Sequence, residues 1–122
     1  MVLKQCFFDH TQITDDMVAT YAAYLSLPGA SRTLIKTAQQ ILPPNLDEIS
    51  ERYKSITIPA LLIWGEKDTI VPLHIGRKLA ENIPHSKLVV IPNCGHNPHE
   101  ECPTQTTEAM ASFLPYQTGD MK

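Results

Sequence analysis

The 122-residue sequence predicts an α/β chain in two unequal parts: helices over residues 1–55, then a strand–helix–strand unit with a final helix over 56–115, and a tail over 116–122. Three observations carry this. Apolar residues recur at helical spacing before Pro43-Pro44. Two short β-rich runs, Pro59–Trp64 and Lys87–Ile91, follow Thr57. Between those runs Ile75, Leu79 and Ile83 recur every four residues.

Each element has a local reason. Thr14-Asp15-Asp16 reads as an N-cap followed by acids in a first turn, where the helix dipole favours negative charge. Met17, Val18, Tyr21, Tyr24 and Leu25 then form one apolar helical face, and Leu27-Pro28-Gly29 stops the helix. Ser31 to Ile41 repeats the pattern with Leu34, Ile35, Ala38 and Ile41, and Pro43-Pro44 ends it. Asn45-Leu46-Asp47-Glu48 has capping-box spacing and opens a third helix to about Tyr53. The run Pro59-Ala60-Leu61-Leu62-Ile63-Trp64 does not alternate, which suits a strand covered on both faces, as in a parallel sheet. Leu73 to Ile83 is a helix broken by Pro84-His85-Ser86, and Lys87 to Ile91 is the second strand. Asn93 to Pro98 is a loop, and Thr104 to Leu114 a last helix with Met110, Phe113 and Leu114 as expected core contacts.

Composition sets outer bounds. Lys and Arg number 10, Asp and Glu 13, a net charge of −3, so no dense basic patch speaks for nucleic acid. The apolar runs are too short to span a bilayer, and residues 1–10 lack the pattern of a signal peptide. No membrane partner is expected. Three cysteines, Cys6, Cys94 and Cys102, at irregular spacing argue for free thiols, a reducing compartment and a cytoplasmic location.

Strand, helix and strand within about 33 residues make one βαβ unit with parallel strands. Ligands of open α/β sheets sit outside the carboxyl ends of the strands. Asp68 falls four residues past Trp64 and His96 five past Ile91, so the topology brings a carboxylate and an imidazole to one rim. Such a pair can activate a hydroxyl or thiol nucleophile. An Asp after a strand is equally at home in a turn, and a loop His in solvent.

The segment Ile58-Pro59-Ala60-Leu61-Leu62-Ile63-Trp64-Gly65-Glu66-Lys67-Asp68-Thr69-Ile70-Val71-Pro72 resembles the acid-bearing strand and loop of the α/β-hydrolase superfamily. Ile91-Pro92-Asn93-Cys94-Gly95-His96-Asn97-Pro98-His99-Glu100-Glu101-Cys102-Pro103 resembles its histidine loop and the start of its last helix. The resemblance implies that Asp68 is the triad acid and His96 the triad base, that Glu101 is structural, and that residues 1–55 are the rear of a lid or cap. It implies the C-terminal portion of a hydrolase of esterase, C–C hydrolase, peptidase or dehalogenase type, acting on a small molecule without cofactor or metal. The nucleophile elbow, Gly-x-Ser-x-Gly, does not occur. Gly29-Ala30-Ser31-Arg32-Thr33 lacks its second glycine and any preceding strand, so Ser31 reads as a helix start. The missing N-terminal half would carry the nucleophile, the chain alone would be inactive, and its open sheet edges would favour self-association. The competing view is a non-catalytic α/β interaction module that retains relic Asp68 and His96. Cys94, His96, His99 and Cys102 do not follow a usual zinc spacing.

Overall fold

The computed structural model describes residues 3–41 and 44–114. In order come α1 (Leu3–Cys6), a 3-10 turn at His10–Gln12, α2 (Asp15–Leu25), α3 (Ala30–Ile41) and α4 (Leu46–Arg52), which runs into a 3-10 turn at Tyr53–Ser55. Then follow β1 (Ala60–Gly65), α5 (Leu73–Asn82), β2 (Ser86–Ile91), α6 (Pro98–Glu101) and α7 (Pro103–Phe113). The expected stop at Pro43 and the tail over 116–122 lie outside the described residues.

β1 and β2 pair in parallel, from Ala60 opposite Ser86 to Gly65 opposite Ile91. Both carboxyl ends therefore emerge at one rim, six register pairs from the start. The crossover helix α5 packs on the strands through its one buried residue, Gly76, which lies against the Trp64 ring. Trp64 is held there by its own indole N–H, which donates to the Val71 carbonyl at 2.9 Å. Ile91, Cys94 and Cys102 form the core centre, with Ile63 packed against it, and Phe7, Ile83 and Ala109 are also buried.

The predicted helices are present, with Thr14 capping α2 by accepting the Met17 N–H at 3.1 Å. Four expectations change. Asn45 makes no capping bond; its side-chain amide donates to Glu48 at 3.3 Å instead. Neither α2 nor α3 contains a buried residue, and Leu34, Ile35 and Ile41 are 57%, 59% and 69% exposed. Their spacing is that of a packed face, but all three side chains stay exposed. In α7 the buried residues are Thr106 and Ala109, which continue the Cys102 stripe at helical spacing, while Met110 and Leu114 are exposed. In α5 Gly76 turns inward and Ile75 does not, while Ile83, just past its end, is buried. The short helices α1 and α6 were not expected from the pattern.

Candidate active site

Gly65 ends β1, and the loop after it is pinned to the loop after β2. The Glu66 N–H donates to the Ile91 carbonyl at 2.8 Å, and the Lys67 N–H to the Cys94 carbonyl at 2.9 Å. A side chain at Gly65 would run into the carbonyls of Cys94 and Gly95, so the two loops can cross this closely only over a glycine. Asp68 follows. Its Oδ1 accepts the N–H groups of Ile70 at 2.9 Å and Val71 at 2.8 Å, folding the loop around the carboxylate. Its Oδ2 faces His96 Nδ1 at 2.8 Å. The Asp68 side chain is 5% accessible and that of His96 34%.

The carboxylate is thus an acceptor on both oxygens, which requires the proton on Nδ1 and leaves the Nε2 lone pair available. No described residue bonds Nε2. A pair so arranged fixes the imidazole ring and tautomer and stabilises the imidazolium when Nε2 takes a proton. Asp68, Val71 and His96 line a cavity of about 130 Å³ with Ile63, Trp64 and Pro98.

The histidine loop is held from behind. Asn93 takes a left-handed conformation, φ 51°, which starts the turn. The His96 N–H donates to the Cys6 carbonyl at 2.6 Å. Glu101 is 4% exposed, and its carboxylate accepts the Gly95 N–H at 2.5 Å and the Asp9 N–H at 2.6 Å. Glu100, its neighbour, turns the other way and accepts from the Tyr21 hydroxyl at 2.8 Å and the Asn97 amide at 2.9 Å. That hydrogen bond, with partial burial, raises the Tyr21 pKa above its ordinary value. Burial and a hydrogen bond with Cys102 push the Cys94 thiol far up, so it stays protonated and inert. No described set of three His, Cys, Asp or Glu side chains is arranged to hold a metal ion.

Residues 6–103 match the family model described as alpha/beta hydrolase fold. The chain belongs to the alpha/beta hydrolase fold family. It is 44% identical over 107 residues to the uncharacterized hydrolase YugF of Bacillus subtilis, covering 87% of this chain and 38% of that one. It is 34% identical over 96 residues to a 2-hydroxy-6-oxo-6-phenylhexa-2,4-dienoate hydrolase of Burkholderia cepacia, covering 78% of this chain and 33% of the relative. Among solved structures, a serine hydrolase involved in carbazole degradation superposes with a TM-score of 0.81 at 26% identity, over 93% of this chain and 44% of its own. The chain therefore spans less than half the length of each of these relatives.

Both sequence-selected residues of this alpha/beta-hydrolase-fold chain, Asp68 and His96, meet at the rim. Ser31 lies in the exposed first turn of α3. Sequence reasoning missed Cys6, Asp9, Tyr21 and Glu100 as site neighbours. Backbone groups supply two of these contacts, and a main-chain carbonyl leaves no mark on the residue type. The adjacent pair Glu100-Glu101 was a usable signal, since consecutive residues at a helix start diverge by about 100° and cannot share one environment.

Proposed function

We propose that the chain supplies the acid and the base of a nucleophilic hydrolase, with Asp68 orienting and His96 relaying protons. The observation that carries this is the 2.8 Å approach of Asp68 Oδ2 to His96 Nδ1 at the carboxyl rim of two parallel strands, with no described residue bonded to Nε2, beside a cavity. The nucleophile and the oxyanion donors come from a segment outside these 122 residues. His96 Nε2 takes the proton of the attacking hydroxyl and returns it to the leaving group. Residues 1–55 act as part of the cap over the substrate. Relatives named as hydrolases of 2-hydroxy-6-oxo dienoates support carbon–carbon bond hydrolysis of a small acidic substrate as the reaction. The isolated chain holds no nucleophile on an elbow and is expected to be inactive.

The test joins the part of YugF that precedes its matched region to this chain. The fusion is expected to turn over a 2-hydroxy-6-oxo dienoate or an activated ester, and His96→Ala to lower kcat by about three orders of magnitude or more. Asp68→Asn is expected to cost nearly as much, because it favours the wrong tautomer. A working fusion indifferent to His96→Ala would sink the assignment. Ester turnover by the unfused chain that His96→Ala abolishes would overturn its expected inactivity and leave the role of His96 standing.

A further inference from the structure

Residues Gln5 to Asp9 run across the backs of both site loops. The Thr69 hydroxyl, one residue past Asp68, donates to the Gln5 carbonyl at 3.0 Å. The Cys6 carbonyl takes the His96 N–H at 2.6 Å, and Phe7 is buried between these contacts at 3% exposure. The Asp9 N–H then reaches Glu101 Oε1, while Oε2 of the same carboxylate holds the Gly95 N–H. The strap is therefore bonded to the acid loop at one end and, through a single buried carboxylate, to the histidine loop at the other. A side chain at Gly95 would press on the strap at the Cys6 carbonyl and the Phe8 nitrogen, so strap and loop are in direct contact.

We propose that Glu101 is a positioning residue: by gripping the Gly95 and Asp9 N–H groups on its two oxygens, it fastens the Gln5–Asp9 strap across the histidine loop and sets the aim of His96 at Asp68. This rests on the Asp68–His96 pairing read above. A carboxylate is the side chain for this task. It offers acceptors on both oxygens to two donors that approach from different segments, 92 and 6 residues away in sequence. Gln presents one carbonyl oxygen and an NH2 group that opposes the second donor. Asp keeps the charge but is one methylene short of spanning both.

The experiment uses the whole chain with 15N label. In the unsubstituted chain, the His96 Nδ1–H is expected as a downfield proton resonance that Asp68→Asn removes, and the Gly95 and Asp9 amides exchange slowly. In Glu101→Gln both amides are expected to lose protection together and the Nδ1–H resonance to broaden beyond detection, while the β1 and β2 amides keep theirs. Glu101→Asp is expected to keep one of the two amides protected, and it decides the matter by the same readouts should the Gln variant not fold. A purely structural Glu101 would weaken all protection evenly and leave the Nδ1–H resonance in place; that result overturns the proposal. An unsubstituted chain without the resonance would refute the Asp68–His96 pairing instead. The clamp would then stand on the joint loss at Gly95 and Asp9, and fall if Glu101→Gln leaves them protected.

Discussion

Asp68 divides its labour by oxygen. Oδ1 is spent on the Ile70 and Val71 N–H groups, which fixes the carboxylate plane, so Oδ2 meets His96 without freedom to swing. Tyr21 does for Glu100 what the backbone does for Asp68, and its chemistry makes it testable by pH. The neutral hydroxyl donates to Glu100, so the folded state raises the Tyr21 pKa, chiefly by that hydrogen bond and then by burial. A raised folded pKa means the contribution is fully present below the unfolded value near 10 and is lost as pH rises through the folded value. Tyr21→Phe is expected to lower unfolding stability by about 1 kcal/mol at neutral pH. Between neutral pH and an alkaline pH above that raised folded value, the gap between the two proteins is expected to close as the hydroxyl ionises. Urea titrations at both pH values check this; a gap that widens in alkali would show that the hydroxyl is not the donor.

At the scale of elements, the βαβ unit works because α5 comes down on Trp64 through a glycine. Gly76 sits where a Cβ would lie 2.6–2.7 Å from ring carbons of Trp64. Two effects oppose each other in Gly76→Ala. Helix propensity favours alanine by about 1 kcal/mol. Overpacking costs about 1–3 kcal/mol, and here the ring cannot yield cheaply, because its N–H is tied to the Val71 carbonyl in the loop of Asp68. The clash is expected to win, with net destabilisation of about 1 kcal/mol and a shifted emission maximum of Trp64, the only tryptophan. Unchanged emission with raised stability would show that the helix stands off the ring. Such contacts also mark how far the sequence can be read. The runs Ala60–Gly65 and Ser86–Ile91 were legible because parallel strands covered by helices read as short, nearly continuous apolar runs, Leu88 to Ile91 in the second, and Asp68 and His96 followed from where those runs end. Which face of a helix turns inward was legible only where a partner exists. Leu34, Ile35 and Ile41 have a good apolar period and yet stay exposed, and in α7 the small residues Thr106 and Ala109 win the inner face over the larger Met110. The strap was invisible because its bonds are made by main-chain groups of Gln5, Cys6 and Asp9.

For the whole molecule, two of the places where apolar side chains are exposed differ in kind. The α2–α3 hairpin presents Leu25, Leu27 and Leu34 around an open cavity of about 420 Å³, all side chain and no strand. The second place is a cavity of about 300 Å³ between Leu61 and Ile63 of β1 and Met110, Phe113 and Leu114 of α7. It adjoins a strand that pairs, among the described elements, on one side alone. Sheet edges are commonly guarded by charge, and β2 has an exposed Lys87, whereas β1 reads Ala-Leu-Leu-Ile-Trp-Gly with no charged residue. A net charge of −3 offers little repulsion to oppose contact between copies. Association is therefore expected to run through the β1–α7 side, where backbone groups and apolar area both gain by being covered. Sedimentation velocity is expected to show a concentration-dependent rise in mass. Met110→Lys with Leu114→Glu, two exposed positions whose change leaves the core intact, should shift the chain towards monomer by about tenfold in dissociation constant, which corresponds to about 1.4 kcal/mol. Leu34→Lys with Ile41→Glu on the hairpin should do less. A monomer at every concentration, or a larger effect from the hairpin pair, would move the adhesive surface away from the strand edge.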